Sequence, residues 1–161
     1  MGGVYLRGVI NNVARKQQIN DFKDLRFGSI TPTDLDGVIE YRDKAYVFYE
    51  IKYLDAELPH GQRLCLERLV HDTLKAGKRA IALIVEHSVH STEEHIPVAQ
   101  CHVREFFFKP RDGWMHTKRY YNALELTQKF FAYADSDFQY VPMRRKSEDN
   151  RTLIGNTCTE I

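Results

Sequence analysis

"DLDGVIEYRDKAYVFYEIKY", residues 34–53, decides how the chain is built. Two β-rich runs, "GVIEY" and "AYVFYEI", flank Arg42, Asp43 and Lys44, and a short loop over those residues closes a hairpin. Side chains alternate along a strand, so Glu50 and Lys52 project to one side and Ile51 to the other. A turn near Asp43 and Lys44 brings residues 36–37 opposite residues 50–51, and the Asp36 and Glu50 carboxylates within reach of one ion. Two carboxylates that close repel each other unless a cation or a proton lies between them. Mg²⁺, for which Mn²⁺ would substitute, suits such oxygen donors and keeps waters in the rest of its shell. Lys52 can then hold a water aimed at a phosphorus, or offset charge as a phosphorane forms. The plainer alternative makes Glu50 and Lys52 solvent-face residues of an edge hairpin and Asp36 a turn residue. Against it stands the setting: "VFYEIKY" is the composition of a covered strand, where unpaired charge is costly.

Outward from the hairpin, Leu6, Val9, Ile10 and Val13, then Ile19, Phe22 and Leu25, recur at helical spacing and predict one or two amphipathic helices within residues 5–25. "RFGSI" (26–30) reads as a short first strand after them. Beyond the hairpin, "HGQRLCLERLVHDTLKAG" carries a stripe of Leu64, Leu66, Leu69, Val70 and Leu74, with Gly77 as a stop. "RAIALIVEH" is apolar on both faces, as in a strand buried mid-sheet, and a helix leading into it predicts a crossover to a parallel strand. "VAQCHVREFFF" gives a further strand and "NALELTQKFFAYA" a closing helix over one face. The expectation is an α/β fold with a central mixed sheet flanked by helices, formed by residues 1–142 as a single domain, with 143–161 a polar tail.

The bulk numbers agree with one core. At 161 residues the chain can bury roughly two thirds of its unfolded surface. Nine Tyr, nine Phe and one Trp supply the means to pack it. A net charge of +1 excludes nucleic-acid binding by bulk charge, so any polyanion must be held by local patches. Three widely spaced cysteines form no disulfide framework or CxxC pair, which fits a reducing compartment. With no bilayer-length apolar run and no basic-then-apolar N-terminus, the expectation is a soluble, cytoplasmic protein without a membrane partner.

At this point residues 33–68 are the telling ones. "TDLDGVIEYRDKAYVFYEIKY" followed by "LPHGQRLCLERL" resembles the PD-(D/E)XK nuclease superfamily, and in particular small phage-type members. In these Asp-Gly opens the second strand, Glu-x-Lys ends the third, and a Gln lies in the next helix. The resemblance implies a restriction-endonuclease-like core in αβββαβ order over roughly residues 5–108. It implies a metal-dependent nuclease that hydrolyses phosphodiester bonds in DNA with a metal-activated water. Asp36 and Glu50 would bind Mg²⁺ with help from the Ile51 carbonyl, Lys52 would serve the attacking water, and Gln62 would support the site. The chain departs from the pattern in having no Glu in residues 1–35, where many members carry a further metal ligand. Asn12, Asp21 and Asp24 are the candidates to stand in. Asp34 shares the strand parity of Asp36, and Asp36 is preferred because it stands directly before Gly37. The missing Glu motivates a rival reading, a catalytically incomplete nuclease-fold module that binds nucleic acid or a protein.

Four further features carry expectations. Gln62, at the start of its helix, is either near a phosphate held by free N–H groups or a plain exposed helix residue. Arg63 and Arg68 either rim the site or pair with Glu67 and Asp72. "REFFFKPRDGWMHTKRYY" mixes five basic residues with six aromatics. Its Trp114, Lys118 and Arg119 are candidates to stack bases or follow a nucleic-acid backbone, and Phe106 to Phe108 read as strand core. His87, His90, His95 and Cys101 offer zinc-type donors in no closed four-ligand spacing, so a polar loop is the simpler reading. DNA is the expected partner, and a homodimer would set two sites on two strands.

Overall fold

In the computed structural model, residues 24–92, 94–108, 113–117 and 119–139 are described. The helices expected within residues 5–25 fall almost wholly outside them, as does the tail from Met143. The expected hairpin forms, in a slightly different register: β1 (Gly37–Tyr41) runs antiparallel to β2 (Ala45–Tyr53), from Gly37 opposite Tyr49, not residues 50–51, to Tyr41 opposite Ala45. Its turn is closed by the Lys44 N–H on the Tyr41 carbonyl at 2.9 Å, with Arg42 and Asp43 at φ 49° and 59°. Two successive left-handed residues match the twist of the strands they join. Side chains hold that unfavourable backbone: Glu40 accepts the Asp43 N–H, and Lys78 pairs with the Asp43 carboxylate.

α1 (His60–Lys75) then crosses over to β3 (Arg79–His87), which lies parallel to β2 along its whole length. Gly77, at φ 77°, ends the crossover helix with its N–H on the Leu74 carbonyl at 3.0 Å. β4 (His102–Phe107) and β5 (Trp114–His116) add antiparallel, giving a five-stranded mixed sheet in the order β1-β2-β3-β4-β5. α2 (Ala123–Ala134) follows, opened by a capping box in which Asn122 Oδ1 accepts the Glu125 N–H at 2.8 Å and Glu125 Oε2 accepts the Asn122 N–H at 3.1 Å.

Strand parity assigns the two faces. Val47, Leu83, Val85 and Val103 meet Phe130 and Phe131 of α2. Phe48, Ala82, Ile84 and Phe107 meet Leu66 and Val70 of α1. β3 is apolar on both sides because a helix covers each of them. The α2 face also holds one buried polar pair, the Tyr49 hydroxyl against Thr127 Oγ1 at 2.7 Å, and burial pushes the tyrosine's pKa up to about 12. No helix among the described residues is long and apolar enough to cross a membrane.

Two expectations need correction. "RFGSI" is no strand of the sheet: Phe27 and Ile30 bridge only each other, by backbone bonds of 2.9 and 3.1 Å, around Gly28 at φ 66°. A left-handed glycine bends the run back on itself before it can reach a neighbour. Among the described residues two strands therefore precede the crossover helix where three were expected, and their order is ββαβββα. The second correction is β5, a strand in a stretch to which the expected order assigned no element. Three residues are too few to show an alternation, and the strand exists because Trp114 pairs with Phe107 on β4.

Candidate functional site

Two residues beyond the Gly37–Tyr49 pair, β1 has ended while β2 continues, which leaves the Ile51 N–H without a backbone partner on that edge. Asp36 supplies one, its Oδ2 accepting the Ile51 N–H at 2.7 Å. The N–H and C=O of a strand residue point to the same neighbour, so the Ile51 carbonyl lies on this edge as well. Of the two Asp candidates, Asp36 acts on Glu50 more strongly than Asp34 does. Asp36 thus stands just ahead of the first strand, and its charge is felt at Glu50.

Glu50 is not a solvent-face residue. It sits on β2 between β1 and β3, on the face covered by α1, with 3% of its surface exposed. Burial lifts its carboxyl above the ordinary value, the Lys52 hydrogen bond pulls the other way, and the charge of Asp36 adds to the rise. Lys52 Nζ lies 2.8 Å from Glu50 Oε1 and donates to Gln62 Oε1 at 3.0 Å. Gln62 is half-buried in the first turn of α1, a helix whose N-terminus carries no side-chain cap. The fold therefore joins Glu50, Lys52 and Gln62 by direct bonds at the carboxyl end of β2, with Asp36 held on the adjacent Ile51 N–H.

The remaining candidates are placed differently. Arg63 pairs with Glu105 of β4 at 3.1 Å and lies over the Trp114 ring at 4.6 Å, where a partner in Glu67 was one expectation. Glu67 instead accepts the Trp114 indole N–H at 2.6 Å, and Asp72 pairs with Lys75 at 3.0 Å. Trp114 also packs on Phe107, so its ring ties α1 to the sheet. Arg119 is exposed, and Lys118 lies outside the described residues. So do Asn12 and Asp21, while Asp24 is exposed ahead of the Phe27–Ile30 bridge.

The zinc set does not assemble. Among the described residues no three His, Cys, Asp or Glu side chains gather as a metal group. His90 Nδ1 meets the Tyr53 hydroxyl, and the Cys101 thiol donates to the Pro97 carbonyl at 3.4 Å. The same finding bears on the Mg²⁺ reading, because among the described residues no third His, Cys, Asp or Glu joins Asp36 and Glu50 as a metal group.

Arg104 escaped the sequence reading. A β-bulge between Ile84 and Val85 leaves it without a cross-strand partner. Its guanidinium reaches the Leu54 and Ala56 carbonyls at 3.3 and 3.0 Å, and Glu86 and Glu105 at 3.6 and 3.5 Å. It pins the connection from Lys52 to Gln62 against the sheet, the kind of re-aimed side chain that bulges produce. The adjacent "RE" inside an apolar run was the available signal.

No family model, curated protein or solved structure matches the chain. The reading of the site therefore stands on its own geometry.

Proposed function

We propose that the chain is a Mg²⁺-dependent deoxyribonuclease of the PD-(D/E)XK kind, on a restriction-endonuclease-like core. The observation that carries this reading is Lys52 held between Glu50 and Gln62, with Asp36 one strand away. The donor types suit a hard dication: Asp36 and the Ile51 carbonyl lie on one sheet edge beside Glu50's strand, and a cation would relieve the Glu50 carboxyl, which burial lifts. Bound Mg²⁺ supplies Lewis-acid polarisation of the phosphate oxygens. The protein's own groups do the rest. Lys52 orients a water by hydrogen bonding and offsets charge at phosphorus, Gln62 fixes the direction of the ammonium, and the uncapped amides of α1 favour a phosphate beside them.

Replacing Lys52 with Ala should lower cleavage of a labelled oligonucleotide in Mg²⁺ by about 100-fold or more. Wild-type rates in that variant would sink the assignment. Glu50→Ala should also lose Mg²⁺ binding by calorimetry. A second reading has an observation of its own. With two carboxylates, one of them already bonded to the Ile51 N–H, the site suits a module that binds nucleic acid or a protein without cutting. Calorimetry separates the two, since absence of Mg²⁺ and Mn²⁺ binding, with and without DNA, selects the binder. A homodimer with one site per strand extends the first reading, and sedimentation with and without duplex DNA measures it.

A further inference from the structure

Two strands away from Lys52 the sheet carries a feature that the proposed chemistry leaves unused. Lys52 pairs with Glu86, and Glu86 with His102, so the three share a row and a face. At strand spacing, His102 stands about 10 Å from Lys52. Its ring is stacked against Tyr120, with centroids 4.5 Å apart and planes 13° from parallel. Tyr120 nevertheless keeps 68% of its surface exposed. With one face on His102, the exposed face of the phenol ring is its outer one, held flat by the imidazole beneath. The exposed Arg119 is its chain neighbour.

The ring borders a cleft of about 370 Å³ lined by Glu86, His87, Gln100, Cys101 and His102. Two imidazole nitrogens there, His87 Nδ1 and His102 Nδ1, are screened from solvent and have no hydrogen-bond partner among the described residues. Buried polar atoms left in that state cost stability until something supplies a partner. A rigid aromatic face at the mouth of a polar cleft, with an arginine at its side, matches a nucleobase with its phosphate.

We propose that Tyr120, backed by His102, is a stacking subsite for an unpaired base of the strand whose phosphate lies at the Asp36–Glu50 edge. This rests on the nuclease reading for the position of the strand, and it narrows the substrate to single strands, overhangs or opened ends. A base inside a duplex offers no free face to Tyr120.

The test uses the full chain and a fluorescein-labelled 12-nucleotide oligothymidylate, read by anisotropy in chelator, beside an abasic strand of the same length and the same oligothymidylate in a blunt duplex. The wild-type protein should bind the base-bearing strand about tenfold tighter than either comparator. Tyr120→Ala should erase that preference while leaving abasic-strand affinity unchanged, and Tyr120→Phe should keep it within about twofold. Equal binding of all three probes by the wild type, or an undiminished preference in Tyr120→Ala, overturns the subsite. Glu50→Ala, assayed for cleavage in Mg²⁺, reports on the other reading. If it cleaves normally while Tyr120→Ala loses the preference, the stacking subsite stands without the nuclease. If it is inactive while Tyr120→Ala discriminates as the wild type does, the nuclease stands and the subsite falls.

Discussion

Glu50 occupies a position that the flanking residues would give to valine, and its energetics follow from that. In the folded chain its carboxyl keeps a proton to higher pH than the ordinary value of 4.5, because burial opposes the charged form. The sign is that of an acid raised on folding. Its contribution is full below about 4.5 and is lost as pH climbs through the folded value. Glu50→Gln should therefore be more stable than wild type at pH 7 in chelator, with the difference closing as pH falls below 4.5. Urea melts across that range measure it, and a gap that widens toward acid would contradict the buried carboxylate. Adding Mg²⁺ should raise the wild-type melting temperature and leave the Gln variant where it was.

Among the elements, the hairpin and the crossover were legible because their signals are local. Two β-rich runs, a three-residue loop between them and a Gly-terminated apolar stripe each specify one structure from neighbouring residues. Asp36, Glu50 and Lys52 were legible for the same reason, being fixed by strand parity and one turn. Arg104 was not, because its role depends on a bulge that appears only when β3 meets β4. Trp114 read as a base-stacking candidate for a like reason, since Glu67 and Phe107, its partners in the fold, lie far from it in sequence.

A tether that also escaped notice joins the closing helix to the hairpin. Asp135, just past α2, is buried and accepts Lys44 Nζ at 2.9 Å and the Tyr41 hydroxyl at 3.2 Å. The Lys44 bond holds its carboxyl below the ordinary 3.8, so its support is present above that pH and disappears as pH drops through the folded value. Asp135→Asn should lower the melting temperature at pH 7 and match wild type in strong acid. An equal loss at both pH values would assign Asp135 a role that does not depend on its charge.

Across the whole molecule, stability concentrates in β3, the strand that both helices cover. Leu83 is fully buried and belongs to the α2-side core. Leu83→Ala should cost about 2–5 kcal/mol, seen as a lower urea midpoint with an unchanged slope. A cost below about 1 kcal/mol would mean that the two cores share the load far more evenly than their packing suggests.

The charged cluster, by contrast, is a short-range object. Asp36, Glu50, Lys52 and Gln62 all come from one hairpin and the first turn of the next helix, whereas the strand that flanks them, β3, begins at Arg79. Closing short loops costs little chain entropy, so these four groups can meet early in folding. Pulse-labelled amide exchange should show β1–β2 protected before β3–β4. On a ribosome, then, the lysine and its carboxylate would be facing open water, and any cation in it, while the strand that later encloses them had yet to be synthesised.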